Sequence, residues 1–186
     1  MKIFEAKPDV NNVQWIIPNA PEKELLSVLT FDCESKSAQL KDIDWYIFNP
    51  KRKKCNFFSG VNGALIFDQD VYDGDLFTLF EMAGEIIPLK MEDGGYLYAL
   101  NVMECLNCLD KKKTRFDYYD NGTQGRILDF SFYSNRISES SIFKIPETST
   151  TQILTYADIH AEDDELYYLY KRLRHTGLIF KELWSE

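Results

Sequence analysis

Cys105-Leu106-Asn107-Cys108 is a CxxC, and two thiols at that spacing can hold a metal ion or exchange a disulfide. A zinc site takes four ligands. The other two would have to come from Cys33 and Cys55, or from His160 and His175, none of which forms a second closely spaced pair. A thioredoxin-like exchange site opens a helix in a βαβ context. Here the motif follows a strand pattern, which keeps redox chemistry in play. Structural cysteines are the favoured reading. A metal- or redox-dependent protein using Cys105 and Cys108 is the alternative, and neither a metal nor a cofactor is expected.

Carboxylates are the second source of chemistry. Asp68, Asp70, Asp73 and Asp75 crowd eight residues and suggest calcium. The EF-hand register fails, because placing Gly74 at the sixth position puts Gln69 first and Phe80 twelfth, and neither residue serves there. Helix capping and a solvated face explain the cluster better. Asp158, Glu162, Asp163, Asp164 and Glu165 form a second acidic stretch. Both stretches are candidate docking patches for a basic partner.

The histidines offer little catalysis. His175 follows Arg174 in the expected last turn of a helix, where a cation complements the dipole. His160 lies among acids, which favour its charged form, but no nucleophile accompanies it. There is no GxSxG, P-loop, GxGxxG or HExxH. The chain is therefore not expected to be an enzyme, with a small carboxylate-based enzyme kept as an alternative.

With 186 residues the chain suits a single domain, 1–186. A net charge of −9, spread along both halves, disfavours direct contact with nucleic acid or anionic lipid, both of which need Lys and Arg. It favours a basic partner through steering. Nothing approaches the ~20 apolar residues of a membrane span, and Met1–Pro8 lacks the apolar core of a signal peptide. A cytoplasmic protein is expected, and four cysteines at this length fit a reducing compartment.

Several elements can be placed. Lys2–Ala6, Val13–Ile17, Asp42–Phe48 and Gly63–Phe67 read as strands, with a helix starting at Pro21. Leu76, Phe77, Leu79, Phe80 and Ala83 stripe a helix over Asp73–Gly84. Asp73 or Asp75 can cap that helix and Gly84 can end it. Glu85–Met91 and Tyr96–Val102 flank Glu92-Asp93-Gly94-Gly95, a hairpin signal, and Pro88 puts its strand at an edge or a bulge. Lys51–Lys54 and Lys111–Lys113 read as solvated loops. Arg126–Tyr133, Ser141–Pro146 and Thr151–Tyr156 read as extended. Strands and helices do not alternate regularly. The fold class is therefore α+β, a mostly antiparallel or mixed sheet with a few packing helices.

The chain ends in a helix–Gly–strand unit. Leu166, Leu169, Tyr170 and Leu173 give a helix over Glu162–His175 one apolar face. Acids load its first turn and bases its last. Gly177 is the expected left-handed stop, and Leu178, Phe180, Leu183 and Trp184 return to the core.

Five segments, taken in order, resemble a bacterial immunity-protein family of polymorphic toxin systems, formerly a domain of unknown function. They are Tyr98-Ala99-Leu100-Asn101-Val102, Cys108-Leu109-Asp110, Ile142-Phe143-Lys144-Ile145-Pro146-Glu147, Thr176-Gly177-Leu178-Ile179-Phe180 and Leu183-Trp184. The resemblance covers roughly residues 86–184, leaving residues 1–85 as a more variable half. It implies a cytoplasmic binder that neutralises a cognate protein toxin by stoichiometric contact. It supplies no catalytic residues, and the CxxC departs from its pattern.

Overall fold

The computed structural model describes residues 1–20 and 29–186. The helix expected from Pro21 lies outside the described residues. The molecule is α+β, as the pattern predicts.

Among the described residues, the larger sheet has six strands in the order β2-β3-β6-β7-β5-β4. These are β2 (Ile16–Pro18), β3 (Asp44–Ile47), β4 (Phe57–Phe58), β5 (Ala64–Phe67), β6 (Gly84–Met91) and β7 (Tyr96–Val102). Its centre is the expected hairpin, with β6 and β7 in antiparallel register from Gly84↔Val102 to Lys90↔Tyr96. Gly94 supplies the positive φ of the turn, at 89°. The parallel partner β3 meets β6 only at Lys90 and Met91. Pro88 therefore lies on the stretch of β6 that β3 leaves open, where a missing N–H costs nothing.

Alternation along β5 and β7 feeds two cores. Leu65, Phe67, Leu100 and Val102 face one side, while Ala64, Ile66, Leu97 and Ala99 face the other. The first side packs on α3 (Leu76–Ala83) and α4 (Leu166–Arg172) through Leu76, Phe80, Leu166 and Leu169. The second side collects Trp45, Leu89, Phe31 and Leu40, the last of these from α1 (Ser37–Leu40).

The second sheet has the order β10-β11-β1-β12 and is antiparallel throughout. Its strands are β1 (Lys2–Pro8), β10 (Ile142–Phe143), β11 (Leu154–Ala157) and β12 (Leu178–Ser185). The chain's first and last strands thus lie side by side, with Lys2 opposite Ser185 and Pro8 opposite Leu178. Ile3, Phe143, Leu154 and Tyr156 of this sheet close a third core over Cys108, Leu109 and Phe132. A separate hairpin, β8 (Arg115–Tyr118) with β9 (Gln124–Asp129), turns at Asp120-Asn121-Gly122. The Arg126–Tyr133 strand starts two residues early and stops at Asp129, because Ser131 and Tyr133 pair with Asp110 and Cys108 instead.

The terminal unit differs from its expected form. Glu162–Asp164 is a separate 3-10 turn, and α4 runs only from Leu166 to Arg172. The left-handed stop is Arg174, at φ 57°. Gly177 is needed for a different reason, since a Cβ there would sit 2.5 Å from the Phe57 carbonyl oxygen.

Candidate functional site

Glu165 explains why the acids do not open the helix. Its side chain is fully buried. Its carboxylate accepts the backbone N–H groups of Asp158, Ile159 and His160 at 2.9, 2.7 and 2.7 Å. Three charge-assisted bonds stabilise a buried carboxylate, and making them requires the extended backbone seen at Glu165, φ −120° and ψ 120°. The first N–H of α4, at Leu166, is satisfied by the Ser141 hydroxyl at 3.2 Å. Glu165 is thus an internal ligand and not part of an exposed patch. Asp158 is left-handed and accepts the Tyr168 hydroxyl, so it too serves its own neighbourhood.

The Asp68–Asp75 cluster separates in three directions. Asp68 is buried and caps α2 (Gln69–Tyr72), accepting from Val71 N at 3.2 Å. Burial raises its pKa despite that bond. The cap of this region is therefore Asp68, and the expected caps Asp73 and Asp75 give α3 no side-chain hydrogen bond. Asp70 is exposed, and with Asp68 it acts electrostatically on His175. Asp73 accepts Gln69 Nε2 at 2.9 Å. Asp75 points to the other side of α3.

There Asp75 meets the second acidic stretch. Asp75, Asp163 and Asp164 line one groove of about 280 Å³ with Leu79, Met82 and Arg172. A second hollow of about 290 Å³ shares Leu79, Met82 and Asp164 and adds Glu139, Ser141 and His160. The two form a furrow divided by Met82, which is 54% exposed although it sits on a core helix. Arg172 pairs with Asp163, so the lining carries more negative than positive charge. Glu162 stands exposed on the same turn. Of the nine acids singled out in sequence, Asp75, Asp163 and Asp164 come together.

Larger hollows lie elsewhere, among them two of distinct lining. One, of about 360 Å³, is an aromatic cleft on which Tyr72, Phe77 and Tyr98 converge, with Tyr72 and Tyr98 stacked at 4.0 Å. The other, of about 440 Å³, lies beside the β8–β9 hairpin. Neither gathers the predicted acids.

The CxxC is divided by burial. Cys108 is in the third core, where burial pushes its thiol up to about 12, while Cys105 is exposed. The thiol of the half-buried Cys33 is likewise pushed up to about 12, by burial first and then by the neighbouring Cys105. Among the described residues, no group of three or more His, Cys, Asp or Glu is placed to hold a metal ion. The buried carboxylates are engaged separately. Glu5 accepts from Lys7, Asp110 accepts the N–H groups of Lys112 and Lys113, and Asp68 and Glu165 are held as above.

His175 is also corrected. It follows the left-handed Arg174 and lies outside the helix, with its ring against Phe57 and Tyr170. Burial lowers its pKa and its Nε2 is buried without a partner, so this half-buried ring is not placed as a dipole-capping cation. The basic runs are exposed loops as expected. Arg52 nonetheless donates to the carbonyls of Val10 and Val13, and Lys111 pairs with Glu147.

Sequence reading missed Lys144, which is fully buried. A lysine between Phe143 and Ile145 is what an alternating strand shows when it points a polar residue at solvent, so no local signal distinguished it. No described helix is long and apolar enough to cross a membrane. No protein-family model matches the chain, and no curated protein matches it in sequence.

Proposed function

We propose that this chain is a cytoplasmic immunity protein that binds a basic protein toxin stoichiometrically and neutralises it. The observation that carries the proposal is the furrow, in which Asp75 joins Asp163 and Asp164 from a distant part of the sequence around the exposed Met82. Interfaces favour an apolar, adaptable centre with a polar rim. Charges at such a rim steer association and select the partner's sign. The net charge of −9 extends the attraction to longer range. The resemblance of residues 86–184 to the immunity family supports the same reading. Its matching segments include β7, β10 and the lead into β12, which hold the fold that presents the furrow.

The test is co-expression with the product of the neighbouring gene. The proposal expects growth to be rescued and a one-to-one complex to co-purify. It expects Met82→Asp to abolish both while leaving the free protein folded. Absence of rescue and of a complex with any adjacent toxin-like protein would remove this function.

A further inference from the structure

Lys144 lies away from the furrow and is unusual in its own right. Its ammonium is fully buried and donates to the Phe31 carbonyl at 2.8 Å. Among the described residues it makes no ion pair; Asp32, whose charge it feels, is taken by Lys36 at 3.0 Å. Buried ammonium groups are ordinarily paired. The chain around it is fixed on both sides. Lys144 N–H donates to the Glu104 carbonyl, and Leu106 N–H donates to the Lys144 carbonyl, each at 2.8 Å, which makes Cys105 the bridge partner of Lys144. On the other side the segment containing Cys33 is tied down by Asn101 Nδ2 to the Glu34 carbonyl at 2.7 Å and by Lys36 N–H to Glu85 at 2.5 Å. Cys33 itself is held at φ 67°, a conformation that a non-glycine residue keeps only when its surroundings impose it. Through the Cys105–Lys144 bridge and the Lys144–Phe31 bond these tethers hold the two segments side by side, and the Cys33 and Cys105 thiols act on one another, one half-buried and the other exposed.

We propose that Cys33 and Cys105 are a redox site that closes to a reversible disulfide by exchange with a low-molecular-weight disulfide of the glutathione type, with Lys144 as the positioning residue. The exposed Cys105 sulfur attacks one sulfur of the small disulfide. That S–S bond breaks, a protein–glutathione mixed disulfide forms, and one glutathione thiolate leaves with the proton that Cys105 gave up. The Cys33 sulfur then attacks the Cys105 sulfur, the mixed disulfide breaks, and a second glutathione leaves with the Cys33 proton. The protein loses two electrons and two protons, and the small disulfide gains them. The half-buried Cys33 is the resolving thiol, since its burial opposes the charged form and shields it from the first encounter. Lys144 holds the Phe31 carbonyl and so the approach of Cys33, and its charge favours the Cys33 thiolate as it forms. The closed bond joins positions far apart in sequence, the case in which cross-linking constrains the unfolded chain most.

The experiment is incubation of the full chain with glutathione disulfide, followed by mapping of non-reduced peptides and thermal unfolding. The proposal expects a Cys33–Cys105 cross-linked peptide, reversed by dithiothreitol, and a higher Tm for the oxidised form. Cys108→Ser should give the same cross-link as wild type, and Cys33→Ser should stop at the glutathione adduct of Cys105. A Cys105–Cys108 link, a lasting glutathione adduct on wild-type Cys105, or an unmodified Cys105 would overturn it. The role of Lys144 is read in the pH profile of the exchange rate. Wild type should show a step near pH 8, where this amine titrates, and folded Lys144→Met should lack it. The same profile in both proteins would remove Lys144 from the site. Should Lys144→Met not fold, a wild-type profile without that step would do the same.

Discussion

Two residues carry the sharpest local consequences. His175 is half-buried against Phe57 and Tyr170, with a pKa below the ordinary 6.5. A base whose folded pKa is depressed leaves the unfolded chain holding more protons between the two values, so stability falls as pH drops below 6.5. His175→Leu should flatten that part of the profile, and thermal unfolding of both proteins over a pH series reads it; equal acid slopes would return His175 to the surface. Glu165 is the second. Glu165→Gln replaces one acceptor oxygen by an N–H₂ group facing three backbone donors, and should cost about 2–4 kcal/mol in denaturant unfolding. Neither role was legible in sequence. An acid before a helix looks like dipole compensation, and a histidine after Arg174 looks like a C-terminal cation; only tertiary burial reverses both readings.

Among the elements, the hairpin, the α3 stripe and the final strand were legible because their signals are local: Asp-Gly-Gly turn chemistry, 3.6-residue periodicity and alternation. Gly84 was read correctly as the end of α3, but the physical demand is stricter than a helix stop. A Cβ there would lie 2.0 Å from the Asn101 carbonyl oxygen and 2.8 Å from Met103 N. Both are backbone atoms of or beside β7, which cannot yield without breaking the central hairpin. Gly84→Ala should therefore cost about 3 kcal/mol or more, seen as a lower urea midpoint, while Gly94→Ala, with open space around it, loses only the strain of its turn conformation. Equal losses would contradict that placement. The shortening of α4 was not legible, because the competing partners of Glu165 come from the loop after β11 and act through a side chain.

At the scale of the whole molecule, the acidity is a field and the furrow is where two sequence-distant acidic stretches share a surface. Composition gave the sign of the field, but the nine acids could not be sorted in sequence into buried ligands and exposed ones. That separation required the fold, which sent Asp68 and Glu165 inward and left Asp75, Asp163 and Asp164 on one rim. The partner's approach should therefore depend on these three more than on Asp70 or Asp73. The direct measurement is the association rate of the chain with its co-purified toxin over a salt series, for wild type and for Asp75→Asn/Asp163→Asn/Asp164→Asn. The triple variant is predicted to associate about tenfold more slowly at low salt, with a flatter salt dependence. Unchanged association kinetics in the triple variant would contradict the furrow as the binding surface.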